Sequence, residues 1–509
     1  MADNIDRKDE REMKKTNINL VPHKVNPSPD YYCTWQTQLY ATCGGTPAEQ
    51  RKNIGERMLF EKEKPFGWAY FYKEARNDLF LVMDDSWDVP FDGNETYYGS
   101  LILNDEKFPS ATRNSAGNGE ALKRLTDRIK ALGWKGLGGW VCAQESRRFM
   151  GDLTIEQYWM ERLRDAHSAG FSYWKVDWGK KARDFQLRKM LTDLSGKIAP
   201  NLTVEHAVIP SIIPYSDVYR TYDVPAILSI PMTMRKLKEI LGTGKTEYGY
   251  MGLINCEDEV YIAAAGGFTM GVMRHPYAGA FGDGRADCSF PSVHRNLKTK
   301  MQEVTRAARW HRIAPAFGVG GREVHIDDKE LRDTWCFENI DEEIEAWWLK
   351  HPFFKDMKDH TMSVYAPARI SRGCALPEAI PDENGNVPYM VAAGHPNGAY
   401  SIVTLGRTLN RMYEIPRCHV RFHIDSANTV AVFGDYKNLI LEMTHKKMKS
   451  VYMQDLADET AYDVTDSVFF EGQEIIIPGE LIRRIGTIAQ SPDDTSEPGV
   501  IIRFEYKIM

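Results

Sequence analysis

A (β/α)8 TIM barrel followed by a C-terminal antiparallel β-sandwich is the fold that this 509-residue sequence predicts, and three observations predict it. Short apolar runs end in polar or aromatic residues, amphipathic stretches of helical period separate them, and beyond about residue 320 the texture turns largely β. Strands that alternate with helices are parallel, and eight repeats over roughly 290 residues suit a closed barrel better than an open sheet.

The candidate barrel strands, in chain order, are Tyr32 to Trp35, Leu79 to Met83, Gly136 to Val141, Tyr173 to Val176, Leu202 to Val204, Val218 to Tyr219, Tyr248 to Ile254 and Phe268 to Met273. Among the intervening helices, Glu120 to Leu132 sets Leu122, Leu125, Ile129 and Leu132 on one face and Lys123, Arg124, Asp127 and Arg128 on the other. The eighth helix is expected over about Lys298 to Ile313. Later strands are read at Tyr400 to Thr404, His419 to Ile424, Thr429 to Phe433, Leu439 to Met443, Ser450 to Met453, Glu474 to Ile477 and Val500 to Tyr506. Asn384-Gly385 and Asn397-Gly398 are hairpin-type turn dipeptides. The chain divides into a disordered or extended leader (1–29), a catalytic barrel (30–318) and a mostly β C-terminal domain (319–509). Residues 338–370 fit neither part.

Bulk properties narrow the partners. Hydrophobic residues make up 43% and charged residues 27%, typical of a globular chain. With 71 acidic against 64 basic residues the net charge is -7, so the balance gives no reason to bind nucleic acid, and a neutral small molecule or oligosaccharide fits better. The eight cysteines form no CxxC pair or Cys/His cluster at zinc spacing, and His275, His294 and His311 show no metal-site spacing, so no metal is expected. No run of about 18 apolar residues and no signal-like segment occurs, so the expected location is cytoplasmic, without a membrane partner. A homo-oligomer is compatible with all of this. Gly242 to Thr246 (GTGKT) lacks the first glycine of a phosphate loop, Glu239 standing there, and is read as a turn. RHPYAG (274–279) and GDGRADC (282–288) read either as a cover for the mouth or as a loop held by Arg and Asp pairs.

Active sites of such barrels form at the C-terminal ends of the strands. Here those ends read Asp84-Asp85-Ser86-Trp87, Lys175-Val176-Asp177-Trp178, Glu205-His206 and Arg220-Thr221-Tyr222-Asp223. One Asp after a strand is often only the N-cap of the next helix. Several carboxylate-bearing ends directed into one mouth repel one another unless a substrate or cations use them. Lys175 and Asp177 are two apart, hence on one side of their strand, where an ammonium keeps a carboxylate ionised.

YWKVDWG resembles the fourth-strand motif of the α-galactosidase (melibiase) clan of retaining glycoside hydrolases, and VMDDSWD is similar to that clan's Asp-Asp-x-Trp signature. Gly99, LNDEKFPS (103–110), the helix after it and GWKGLGGW (133–140) follow in the clan's order. The resemblance implies double displacement, with Asp177 as nucleophile and a second carboxyl group as acid/base, such pairs lying about 5 to 5.5 Å apart. Asp223 is the acid/base it implies, although Arg220 and Asp223 are three apart where the clan commonly has four; Asp217 is the fallback. It further implies Asp84 and Asp85 on the 4- and 6-hydroxyls, Lys175 on the 3- and 4-hydroxyls, Glu205 near the 2-hydroxyl and Arg220 on the sugar and the acid. Trp87, of the same signature, is counted with the substrate-binding residues, and Trp35 and Trp140 offer apolar faces to a pyranose, against ordinary barrel packing as the plainer reading. No cofactor is implied. α-N-Acetylgalactosaminidase, β-L-arabinopyranosidase and transglycosidase activities share the scaffold, and a carbohydrate-binding protein with a retired site is the reading from another class.

Overall fold

The computed structural model describes residues 13–42, 47–221, 227–242, 252–277, 295–341, 359–425, 427–443 and 448–507. Eight parallel strands close into a barrel: β1 (Tyr31–Cys33), β2 (Phe80–Met83), β3 (Gly136–Val141), β4 (Tyr173–Val176), β5 (Thr203–His206), β6 (Val218–Arg220), β7 (Leu253–Glu257) and β8 (Thr269–Val272), with Tyr31 of β1 opposite Gly271 of β8 at the seam. The second to fourth strands lie where the apolar runs put them. The first is shorter than expected, because Trp35 opens a helix (Trp35–Thr42) instead of ending the strand. The fifth and seventh run further toward their C-termini, through Glu205-His206 and Asn255-Cys256-Glu257. Polar residues end these strands, and a reading by hydrophobicity stops before them.

The outer layer contains α1 (Asn118–Ala131), α2 (Ile155–Ala169), α3 (Phe185–Ile198), α4 (Ser229–Leu241), α5 (Val260–Gly266) and α6 (Gln302–Ile313). A 3-10 segment, Pro210–Tyr215, replaces the helix after β5, where Pro210 and Pro214 disfavour α-helical hydrogen bonding. Leu122, Leu125 and Ile129 of α1 are buried as its periodicity predicts. Thr154 and Gln157 form a capping box on α2, and Asp184 caps α3 by accepting the N–H of Leu187. Because Asp184 fills the cap after β4, Asp177 is left for another task.

The C-terminal part holds a nine-stranded and a five-stranded sheet with a common apolar core that includes Val420, Leu439, Ile477, Val430 and Ile502. Most pairings are antiparallel, as expected of a sandwich. Among the described residues three are parallel: Arg369–Arg372 with Tyr389–Gly394, Tyr400–Leu405 with Thr429–Phe433, and His419–His423 with Asn438–Glu442. Asn397-Gly398 turns the hairpin between Tyr389–Gly394 and Tyr400–Leu405. Asn384-Gly385 also makes a turn, but the strands flanking it, Glu378–Ile380 and Tyr389–Gly394, belong to different sheets. Of the unplaced segment 338–370, Thr361–Pro367 pairs with Glu330–Cys336, and 342–358 lie outside the described residues.

Barrel and C-terminal part are packed around α5, every residue of which is buried. Arg372 donates to the carbonyls of Gly266, Gly267, Phe317 and Gly318, and Arg306 of α6 meets Asp455. Residues 13–29 are tied to both parts: Lys14–Lys15 pairs with Tyr462 and Asp463 and Leu20 donates its N–H to Gln454 of the C-terminal part, while Asn26 donates its N–H to Asp78 before β2. Among the described residues no helix is long and apolar enough to cross a membrane.

Candidate active site

The mouth at the C-terminal ends of β1, β2, β4, β6 and β7 gathers most of the polar residues singled out above. Lys175 Nζ lies 2.6 Å from Asp84 Oδ2, and the buried Cys33 thiol donates to the same oxygen at 2.9 Å. Burial works against the Lys175 ammonium, but Asp84 outweighs it and raises the pKa. Two residues on, Asp177 accepts the indole N–H of Trp140 at 2.9 Å on one oxygen, and Arg220 Nη2 stands 2.9 Å from the other. Burial alone raises the Asp177 pKa, yet Arg220, Lys175 and the Trp140 hydrogen bond together hold it below the ordinary carboxylate value. These neighbours favour the anionic form of Asp177.

Arg220 is shared. Its Nε is 3.2 Å from Glu257 and 3.8 Å from Glu205, so three carboxylates surround one guanidinium. With the Asp84–Lys175 pair beside them, four acidic groups meet two basic ones in direct contact. Glu205 accommodates the excess: burial raises its pKa despite Arg220 and Lys175, and it accepts hydrogen bonds from Tyr31, Tyr173 and Asn255.

Asp85 is buried next to Asp84 and accepts the Ser86 hydroxyl at 2.7 Å. Burial, reinforced by Asp84, pushes its pKa up to about 7. Burial likewise pushes Asp88, on the same loop, up to about 6.

Three expectations are corrected. Trp87 does not face the mouth: it lies fully buried under Gly139, its indole N–H given to the Trp140 carbonyl and its ring against Phe171, in the layer between strands and helices. Trp140 is also buried, and its polar edge holds Asp177, so it orients the carboxylate instead of presenting a bare face. Asp217 cannot serve as acid/base. It precedes β6 and accepts the N–H of Val204 near the start of β5, at the end of the barrel away from Arg220 and Asp177.

Trp35 is half-buried on the helix after β1, packed against the Tyr31, Cys33 and Phe80 group. Glu205 lies in register with Lys175, two residues short of the level of Asp177, and its oxygens are occupied by barrel side chains. Asp223 lies outside the described residues, as does His294. His311 is a packed histidine, 2.6 Å from Asp30. Arg274 of the RHPYAG segment is held by Asp258 and Glu303.

Sequence reasoning missed Glu257, Cys33 and Trp178. Glu257 ends β7 as Glu205 lies near the end of β5, and it would have been found had the strand been carried through NCE. Cys33 was weighed only as a disulfide or zinc ligand. Trp178 follows Asp177 and is 42% exposed although it is a large apolar residue.

Fold and geometry together define a (β/α)8 barrel whose mouth holds an ionised carboxylate among a lysine, an arginine and further acids. No family model and no curated protein sequence matches the chain. Among solved structures it is similar to a candidate α-galactosidase from Bacteroides fragilis, at 10% identity over 94% of this chain and 79% of that one, with a TM-score of 0.41. It is similar also to a β-L-arabinopyranosidase of Geobacillus stearothermophilus solved with arabinose (10% identity, 95% and 98% covered, TM-score 0.38). A third is an α-galactosidase of Saccharomyces cerevisiae solved with raffinose (10% identity, 94% and 98% covered, TM-score 0.34).

Proposed function

We propose that this protein is a retaining glycoside hydrolase that cleaves terminal α-galactoside-like bonds. The observation that carries this reading is Asp177: buried, yet kept ionised by Arg220 and Lys175 and oriented by Trp140, at the mouth of a closed barrel. In the first step an Asp177 oxygen bonds to the anomeric carbon while the glycosidic C–O bond breaks and Asp223 gives its proton to the leaving oxygen. In the second, Asp223 takes a proton from water, the water oxygen bonds to the anomeric carbon, and the ester to Asp177 breaks. Asp84 and Asp85 accept from the 4- and 6-hydroxyls and Lys175 donates to the 3- and 4-hydroxyls. The Lys175–Asp84 contact of 2.6 Å supports their action as one unit.

The test is release of p-nitrophenol from α-galactoside, α-N-acetylgalactosaminide, β-L-arabinopyranoside and other glycosides by wild type and Asp177→Ala. Hydrolysis of the α-galactoside that drops by at least about 10⁴-fold in the variant is expected, since a nucleophile acts as part of a unit whose loss removes most of the catalysis. Activity that survives the substitution removes Asp177 from its role. Silence of the wild type on every glycoside favours a carbohydrate-binding protein.

A further inference from the structure

Trp178 has no task in the reaction outlined above, and its position gives it one. The neighbouring Trp140 and Trp174 are packed away. Trp178 is 42% exposed, and its ring is not loose. It packs edge-on against Trp140 at 5.7 Å between centroids (60° between planes) and against Tyr98 at 5.7 Å (63°). Trp140 is the same ring that donates to Asp177, and Tyr98 is close enough to Asp85 to feel its charge. The exposed indole therefore sits one aromatic ring from the nucleophile, over the loops that follow β2, β3 and β4.

The backbone beneath it is fixed as well. The Trp178 carbonyl accepts the N–H of Ala143 at 2.9 Å, and the Asp177 N–H donates to Val141 at 3.0 Å. Gly179, at φ 150°, passes so close to Ala143 that a Cβ there would lie 2.7 Å from the Ala143 nitrogen. Any side chain at 179 would push the segment off the loop that follows β3, so the backbone under the ring is placed before a ligand arrives, and little order remains to be imposed on binding. Polar groups flank the ring: the Gln144 side chain accepts the Lys180 N–H, and Lys181 pairs with Glu145. A rigid apolar face with hydrogen-bonding neighbours matches the C–H face of a neutral pyranose.

We infer that Trp178 is a platform for the leaving-group side of the substrate, so that the molecule cleaved is an oligosaccharide whose second sugar stacks on this indole. The inference rests on the hydrolase reading and deepens it: Asp84, Asp85 and Lys175 hold the sugar that is transferred, and Trp178 holds the sugar that departs.

The test compares α-galactosyl fluoride, whose leaving group has no ring, with an α-galactosyl disaccharide, using wild type, Trp178→Ala and Trp178→Phe. The readout is the ratio of kcat/KM for the disaccharide to kcat/KM for the fluoride. Loss of one stacking surface is expected to lower this ratio about tenfold in Trp178→Ala, mainly through KM, with most of it restored in Trp178→Phe. If Trp178 served only to support Trp140, both substrates would slow in parallel and the ratio would hold within about twofold; that result overturns the inference. Turnover of the fluoride by wild type with no turnover of the disaccharide overturns it too, while leaving the hydrolase reading intact. If wild type turns over neither, the hydrolase reading fails and the platform fails with it.

Discussion

Buried charge is handled in opposite ways at two places in this molecule. Between the barrel and the C-terminal sheets, Arg306 Nε and Nη2 meet the two oxygens of Asp455 at 2.9 and 3.1 Å, both residues fully buried. The Glu497 carbonyl accepts from Arg306 Nη1, and the N–H groups of Ala457 and Ala489 fill the remaining Asp455 sites. One cation matches one anion, each oxygen has its donors, and nothing further is required. At the mouth, Arg220 is divided among Asp177, Glu205 and Glu257 at 2.9 to 3.8 Å, and acidic groups outnumber basic ones. A balanced pair holds domains together, whereas an unbalanced cluster held in place by the surrounding barrel marks a site whose charge is meant for something else. The positive charge that develops at the anomeric carbon during glycoside cleavage would complete that cluster.

The contrast breaks most sharply at Asp177. Removing its carboxylate should lower activity by at least about 10⁴-fold, equivalent to about 5.5 kcal/mol of barrel-mouth chemistry, and, because Arg220 and Lys175 hold its pKa below the ordinary carboxylate value, should lower the unfolding midpoint in urea only modestly. A large loss of stability in Asp177→Asn would instead make it a structural anion like Asp455. Next in size, Arg306→Met leaves Asp455 buried without its partner and is expected to cost about 3–5 kcal/mol, read from urea unfolding, with kcat/KM per folded molecule unchanged. Equal stability of wild type and variant would remove the contrast from its structural side.

Asp85 provides a pH-dependent test. Its folded pKa of about 7 lies above the unfolded carboxylate value near 4, so between those pH values the folded state binds more protons than the unfolded. Stability contributed through this group therefore falls as pH rises from about 4 to about 7 and levels off above that. Asp85→Asn should unfold like wild type near pH 4 and be more stable at pH 7.5, by on the order of 2–4 kcal/mol. Asp88, pushed up to about 6 in the same way, keeps some slope in the variant. An unchanged difference between pH 4 and 7.5 would show Asp85 to be an ordinary ionised carboxylate. The smallest effect belongs to the helix surface: Lys123 and Asp127 of α1 pair at 2.6 Å but are both more than half exposed, and Lys123→Ala should cost less than about 0.5 kcal/mol.

Much of the barrel was legible because its strands are short apolar runs and its helices carry one apolar face; Gly136–Val141 and Tyr173–Val176 coincide with the runs that predict them. The geometry of the candidate site was legible where a motif fixed its residues to a strand end. Asp84, Lys175, Asp177 and Arg220 meet because parallel strands of one barrel carry all their C-terminal ends to one side. Glu257 escaped notice because Asn255, a polar residue inside the strand, breaks the hydrophobic run that defines it.

The order of strands and helices, the residues that end each strand and the alternation that puts Lys175 and Asp177 on one side are all local properties, and the sequence by itself determined them. Orientation was decided only by the tertiary structure. Trp87 and Trp140 are alike as letters, yet close packing under Gly139 turned one into the strand–helix layer, and a hydrogen bond turned the other onto Asp177. Asp217, half-buried, and Asp177, buried, are both carboxylates next to strand ends, but a parallel barrel sends them to opposite mouths. The sharing of Arg220 among three acids brings together residues from β4, β5, β6 and β7. Such long-range contacts exist only after the barrel closes, because closure alone brings those strand ends within reach of one guanidinium.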